Sequence, residues 1–115
     1  MSELKKLAEN VVAFRDERDW KQFHNPKDLA LSLVLESTEL LEIFQWKDAA
    51  ATQLIASTQK AALSDELADV LYYVLLMAHD LEIDLPQALI AKLGKNAKKY
   101  PTDKAKGSNK KYSEL

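Results

Sequence analysis

The chain has 115 residues, of which 47% are hydrophobic, so it can bury one core but is too short for two typical domains. Only two glycines and three prolines occur, which favours long helices over sheet. The lack of cysteine excludes disulfides, thiolate zinc sites and cysteine nucleophiles. With no long apolar run and no signal-peptide core, we expect a cytoplasmic protein without a membrane span.

The net charge of −2 hides an asymmetry along the chain. Residues 1–91 carry 8 basic and 16 acidic side chains, whereas residues 92–115 carry 8 basic and 2 acidic ones. The composition predicts one domain over residues 1–101 and a lysine-rich flexible tail over residues 102–115. This tail has no arginine and is short, so we do not expect nucleic-acid binding.

The first half of the chain predicts two long amphipathic helices. Apolar side chains recur at helical spacing over residues 2 to about 19. Asn25 then supplies an N-cap oxygen, and Pro26 suits the first helical position. A second helix is therefore predicted from Pro26 to about Trp46.

The second half predicts one short helix and two longer ones. Residues 47–62 have few bulky anchors and predict a short helix between loops. Ser64 is the expected N-cap of a strongly apolar, central helix that ends near Leu81. Asp84 should cap a last helix, which stops before Pro101 because proline disfavours the α conformation in the preceding residue. The predicted fold is all-α, a four-helix bundle core with an additional short helix.

Two of these helices carry pairs of acids in the same spacing. Glu36 and Glu39 lie three residues apart, as do Glu66 and Asp69, so each pair shares a helix face. Glu36 and Glu66 also fall within the apolar stripes of their helices. Two like charges near 4 Å repel by about 4 kcal/mol at an effective dielectric constant of 20. Converging carboxylates therefore need protons or cations as partners.

A divalent cation is the expected partner, because lysine and arginine are scarce in both helices. Oxygen ligands suit Mg²⁺, with Mn²⁺ as a second candidate. Neither motif has the histidine that di-iron carboxylate bundles place three residues after a glutamate. Solvated surface charges and protonated core acids remain the alternative interpretations of the four residues.

Three sequence blocks occur in a fixed order along most of the chain. They are FRDERDW with FHNPKDLA over residues 14–30, Glu-x-x-Glu followed after 26 residues by Glu-x-x-Asp, and NAKKYP over residues 96–101. Together they resemble the MazG-like all-α nucleoside triphosphate pyrophosphohydrolases, including the dCTP pyrophosphatases. The resemblance implies that the four acids bind Mg²⁺ and act in catalysis.

The resemblance also implies a set of nucleotide-binding residues. They are Trp20, His24, Trp46, Tyr73 and Asn96. Lys99, and also Lys92 and Lys95, can meet phosphates as point charges. Core packing of the aromatic rings, a structural role for His24 and solvated lysines are the alternative interpretations.

By the same resemblance, the protein hydrolyses (deoxy)nucleoside triphosphates to monophosphate and pyrophosphate. Trp20, His24 and Trp46 resemble the dCTP-preferring members, which implies a preference for dCTP or related dNTPs. The family resemblance also implies nucleotide-pool house-cleaning and a homo-oligomer, either a dimer or a tetramer. Two other function classes remain: a non-catalytic helical interaction module, and a different carboxylate-metal helical bundle enzyme. Only the proposed hydrolase should respond to both Mg²⁺ and nucleotide.

Overall fold

A computed structural model describes residues 2–115, which form helices and contain no strand. The all-α class is thus confirmed. The helices are α1 (Glu3–Glu17), α2 (Pro26–Glu42), α3 (Ala49–Thr58), α4 (Lys60–Asp80), α5 (Leu85–Lys99) and α6 (Thr102–Ala105), with 3-10 turns at Lys21–Phe23 and Tyr112–Glu114. None of the helices in residues 2–115 is both long and apolar enough to cross a bilayer.

The chain divides into two compact units, the first ending at Glu82 and the second spanning Ile83–Leu115. In the first unit α4 packs against α1, α2 and α3, so it is the central helix of that unit, as its apolar sequence predicts. Its most buried residues pack at the centre of the core together with one leucine of α2. These residues are Leu75, Leu76, Ala78 and Leu29.

Side-chain caps start α2 and α5 where the sequence predicts them. The Asn25 side chain accepts a hydrogen bond from the Asp28 amide at 2.8 Å, and Pro26 follows at the first helical position. The Asp84 carboxylate accepts a hydrogen bond from the Gln87 amide at 3.1 Å, and α5 begins at the next residue. Both caps depend on residues within one turn, which is why sequence alone identifies them.

Two helix boundaries differ from the prediction. α2 ends at Glu42 instead of continuing to Trp46, whose φ of 66° lies outside the right-handed helical region. α4 begins at Lys60, so Ser64 is not its N-cap. Inside the helix the Ser64 hydroxyl donates to the Lys60 carbonyl oxygen at 2.7 Å, which satisfies it without ending the helix.

The lysine-rich C-terminal segment contains two short helical turns. α6 is followed by Gly107 at φ 75° and by a 3-10 turn. The Tyr112 ring packs edge-on against Tyr100 with centroids 6.0 Å apart, and the Lys99 ammonium lies 4.8 Å from the Tyr112 ring centre. The flexibility of residues 102–115 stays a prediction.

A buried ion pair joins α1 to α4. The side chain of Arg15 is fully buried, and its guanidinium donates hydrogen bonds of 2.7 and 3.0 Å to the two oxygens of Asp80. These hydrogen bonds lower the pKa of Asp80 to about 2. The Arg15 carbonyl oxygen also accepts from the amides of Arg18 and Trp20, so this residue shapes the turn that presents the Trp20 ring.

Candidate metal and nucleotide site

The packing of α2 on α4 brings four carboxylates together. One oxygen from each of Glu36, Glu39, Glu66 and Asp69 lies within 4.8 Å of the other three. Each pair shares a helix face because its members are three residues apart. The structure therefore places in one cluster, called here the carboxylate cluster, the four acids that the sequence singles out.

Within the carboxylate cluster, two side chains lie deeper than the others. Glu36 and Glu66 are half-buried, and the Oε2 atom of each is buried and makes no hydrogen bond to residues 2–115. Glu39 and Asp69 are exposed. Because a buried carboxylate oxygen without a partner is costly, the inner pair requires a group that the described chain does not supply.

The electrostatics of the cluster oppose full ionisation. Burial, first, and then the neighbouring carboxylates of Glu39, Asp69 and Glu66 together raise the pKa of Glu36 to about 7. Burial and the neighbouring acids also raise the pKa of Glu66. The stabilising contribution of Glu36 is fully present below pH 4.5 and is lost as the pH rises through about 7. A bound cation would counteract that loss at neutral pH.

The donor set of the carboxylate cluster fits a hard divalent cation. All four candidate ligands are carboxylates, and oxygen-only sites suit Mg²⁺ or Mn²⁺. Among residues 2–115, no lysine, arginine or histidine forms a salt bridge with any of the four. The two unpartnered Oε2 atoms are therefore available as ligands.

A pocket of about 420 Å³, called here the aromatic pocket, adjoins the carboxylate cluster. α1, the turn that follows it, α2 and α4 form its walls. Its apolar and aromatic lining consists of Leu7, Val11, Phe14, Trp20, Tyr72 and Tyr73. Asn10, Glu36 and Asp69 complete the lining, and the last two belong to the cluster. A ligand in the pocket thus reaches the carboxylates.

The rings of the aromatic pocket hold one another in edge-to-face contacts. Tyr73 packs on Tyr72 with centroids 5.0 Å apart, Tyr72 on Phe14 at 6.1 Å, and Phe14 on Trp20 at 5.9 Å. Such a chain of rings supplies apolar faces on which a planar heterocycle can stack. Two of the predicted nucleotide-binding residues, Trp20 and Tyr73, line this pocket.

Comparison with known proteins identifies the family. A family model described as the MazG-like family matches residues 31–115. The chain belongs to the MazG-like family. It is 43% identical over 104 residues to dCTP pyrophosphatase 1 from Bos taurus and 44% identical over 104 residues to that from Homo sapiens. Each match covers 89% of this chain but only 62% and 61% of these two relatives.

A solved structure with a similar fold agrees with the assignment to this family. The crystal structure of a pyrophosphatase from Archaeoglobus fulgidus DSM 4304 matches this MazG-like chain with a TM-score of 0.83 and 37% sequence identity. The match covers 88% of this chain and 94% of the archaeal one.

The other predicted nucleotide-binding residues of this MazG-like chain do not line the aromatic pocket. Trp46 follows α2 with 91% of its side chain exposed. His24 ends the 3-10 turn, where its Nδ1 atom is buried and has no hydrogen-bond partner among residues 2–115, and this burial lowers the pKa of His24. Asn96 and Lys99 belong to α5, in the second compact unit.

Two polar residues of the aromatic pocket, Asn10 and Tyr72, were not among the predicted site residues. Asn10 lies beside the apolar stripe that Leu7, Val11 and Phe14 form on α1, so the sequence does not distinguish it from an ordinary polar residue of an amphipathic helix. Tyr72 sits in an apolar run beside Tyr73, so nothing in its sequence neighbourhood distinguishes it from a core residue.

Proposed function

We propose that this protein is a metal-dependent nucleoside triphosphate pyrophosphohydrolase, which converts a (deoxy)nucleoside triphosphate to its monophosphate and pyrophosphate. The observation that carries the proposal is the carboxylate cluster opening onto an aromatic pocket through Glu36 and Asp69. The names of the relatives, dCTP pyrophosphatase 1 and a pyrophosphatase, support the same reaction.

In this proposal the four carboxylates hold Mg²⁺ or Mn²⁺. A divalent cation in such a site offsets phosphate charge and favours deprotonation of the attacking water. Either Glu36 or Glu39 accepts the proton of that water, since both lie in the cluster. Trp20 and Tyr73 stack against the base, and His24, Trp46, Asn96 and Lys99 are further proposed nucleotide contacts.

The charge of the aromatic pocket sets the direction in which the substrate binds. Its lining residues include two carboxylates but no lysine or arginine. A bare triphosphate would be repelled there, so the base enters the aromatic pocket and the phosphates extend to the cation-bearing cluster. We propose that deoxynucleoside triphosphates are preferred, dCTP first, and that the protein cleans the cytoplasmic nucleotide pool.

The reaction is tested by incubating the purified protein with the common dNTPs and NTPs, with Mg²⁺ or with EDTA, and separating the products by ion-exchange chromatography. We expect monophosphate and pyrophosphate only when Mg²⁺ is present, with dCTP turned over fastest. Diphosphate and orthophosphate would place the attack at another phosphorus. Lack of turnover, with a melting temperature indifferent to Mg²⁺ and nucleotide, would favour the interaction module.

We also propose a homo-oligomer, either a dimer or a tetramer. On the side of α2 opposite Glu36, a second apolar stripe remains outside the core of the first unit. The stripe consists of Leu31, Val34, Leu35 and Leu41, whose exposed fractions lie between 55% and 66%. Monomeric proteins seldom expose a contiguous apolar stripe, and a second copy of the chain would cover it.

Substituting Leu35 by glutamate should shift the protein from oligomer to monomer, because a charge in the middle of the stripe would have to be desolvated on assembly. Size-exclusion chromatography with light scattering measures the mass. Ser57→Glu, which adds the same charge at an exposed position of α3, is the control and should leave the mass unchanged. A monomeric wild-type protein at tens of micromolar would contradict this proposal.

A further inference from the structure

The aromatic pocket contains a hydroxyl group to which the folded chain offers no partner. Tyr72 lines the pocket, and its hydroxyl is buried and makes no hydrogen bond to residues 2–115. The rings of Phe14 and Tyr73 pack edge-on against it, which restricts its movement toward solvent. A buried polar group of this kind is costly until a ligand pairs with it.

A second polar group lines the same pocket from α1. Asn10 lies one turn after Leu7 and one turn before Phe14, so its amide stands among apolar side chains. An amide presents a donor and an acceptor side by side, and a phenol can donate as well as accept. Burial raises the pKa of the Tyr72 hydroxyl, which therefore keeps its proton at neutral pH.

These groups suit an uncharged ring whose edge carries both donors and acceptors. The aromatic walls bind any base by stacking and so do not discriminate between bases. Hydrogen-bonding groups do discriminate once a bound base excludes water from them, because a mismatched edge leaves them unpaired. A phosphate is the wrong ligand for the aromatic end of the pocket, since no lysine or arginine lines it and its two charged lining residues, Glu36 and Asp69, belong to the carboxylate cluster.

We propose that Asn10 and the hydroxyl of Tyr72 are specificity-determining groups, which recognise the polar edge of the nucleobase. This inference rests on the proposed pyrophosphohydrolase function and adds residues to it. It separates two tasks within one pocket: the rings of Trp20 and Tyr73 supply affinity for any base, and Asn10 with Tyr72 selects among bases.

Two single substitutions test the assignment by measuring kcat/KM for each of the four common dNTPs. Tyr72→Phe removes only the hydroxyl, and Asn10→Leu removes the amide at similar volume. For the base that the wild type prefers, each should lower kcat/KM by about 10- to 100-fold, while the other three dNTPs change by less than about threefold. Gln53→Met, which removes an exposed amide from α3, is the control and should keep the wild-type ranking.

The inference is overturned if both variants keep the wild-type ratios between bases, or if both lower kcat/KM equally for all four. Unchanged ratios with a lower melting temperature would assign the Tyr72 hydroxyl to folding. Asn10→Leu changes an exposed side chain, so it carries the test even if Tyr72→Phe does not fold. A wild type that turns over all four dNTPs equally also overturns the inference.

A wild type that hydrolyses no nucleotide would instead contradict the proposed function. Free deoxynucleosides then test the base-recognition groups alone, because they lack phosphates and need no metal. Titration calorimetry should show preferential binding of one deoxynucleoside to the wild type and loss of that preference in Tyr72→Phe and Asn10→Leu. Equal or absent binding of all four would overturn the inference as well.

Discussion

Replacing Glu39 with glutamine should lower the metal-dependent turnover of the preferred dNTP by about a thousandfold or more, which corresponds to roughly 4 kcal/mol of activation free energy. Glutamine keeps the size of the side chain and removes the negative charge. Since the Glu39 carboxylate has an oxygen within 4.8 Å of one from each of the other three acids, its loss weakens the hold on a divalent cation. Steady-state kinetics across a Mg²⁺ titration measures the loss.

The same variant should fold at least as well as the wild type in EDTA near pH 7. Glu39 is one of the acids that raise the pKa of Glu36 and of Glu66, so removing its charge relieves repulsion in the metal-free protein. We expect Mg²⁺ to raise its melting temperature less than that of the wild type. An inactive variant that is also unfolded would contradict this expectation.

Glu42→Gln is the matched control for Glu39→Gln. Glu42 lies on the same helix, one turn further on, is exposed, and is not part of the carboxylate cluster. Its substitution should leave turnover and the Mg²⁺ response at wild-type values. Wild-type turnover in Glu39→Gln, or equal losses in both variants, would remove Glu39 from the proposed site.

Replacing Arg15 with methionine should lower the free energy of unfolding by about 3–5 kcal/mol at pH 7, because it leaves the Asp80 carboxylate nearly buried without its guanidinium. The Asp80 side chain is only 15% exposed. Urea unfolding measures the change. Arg18→Met removes an exposed partner of Glu17, 3.7 Å away, together with the stacking of the Arg18 guanidinium 3.6 Å from the Phe14 ring centre, and should cost no more than about 2 kcal/mol.

The loss of unfolding free energy in Arg15→Met should become smaller as the pH falls. The pKa of Asp80 is lowered from 3.8 to about 2 in the folded wild type, mainly by its hydrogen bonds from Arg15. This contribution to stability is present above pH 3.8 and is lost as the pH falls through about 2. The difference in the free energy of unfolding between wild type and Arg15→Met should therefore become smaller on acidification. A difference that stays constant from neutral to acid pH would show that the ion pair is not its source.

A double variant separates the ion pair from the packing of the Arg15 side chain. Arg15→Met combined with Asp80→Leu removes both charges, so no carboxylate stays nearly buried with only Lys21 at 3.8 Å and His79 at 3.1 Å as partners, and it should be more stable than Arg15→Met alone. If the double variant is less stable, the aliphatic packing of Arg15 and not its charge holds α1 on α4.

By itself, the sequence determined those features whose physical cause lies within one or two helical turns. Asn25 and Asp84 start helices because their side chains accept hydrogen bonds from amides three residues later. The acid pairs share a helix face because of three-residue spacing, and the apolar run of the central helix predicts its burial. These rules suffice for the all-α class and for selecting the four acids.

The sequence did not predict the helix boundaries at residues that can adopt two local conformations or hydrogen-bonding patterns. Ser64 can cap a helix or bond the carbonyl four residues back, and in this fold it does the latter. The apolar period continues to Trp46, but the chain leaves the helix after Glu42 and turns through a positive φ at Trp46. Tertiary packing decides between such options, because their local free energies are similar.

Only the tertiary structure decided which distant residues meet. The Arg15–Asp80 pair joins positions 65 residues apart, and the aromatic pocket forms where α1 packs against α4 and brings Phe14 against Tyr72. Asn10 and Tyr72 became candidate base-recognition groups for the same reason. Helical periodicity tells which face of each helix is buried, but the partner of that face depends on how whole helices pack, and no local spacing rule contains that information.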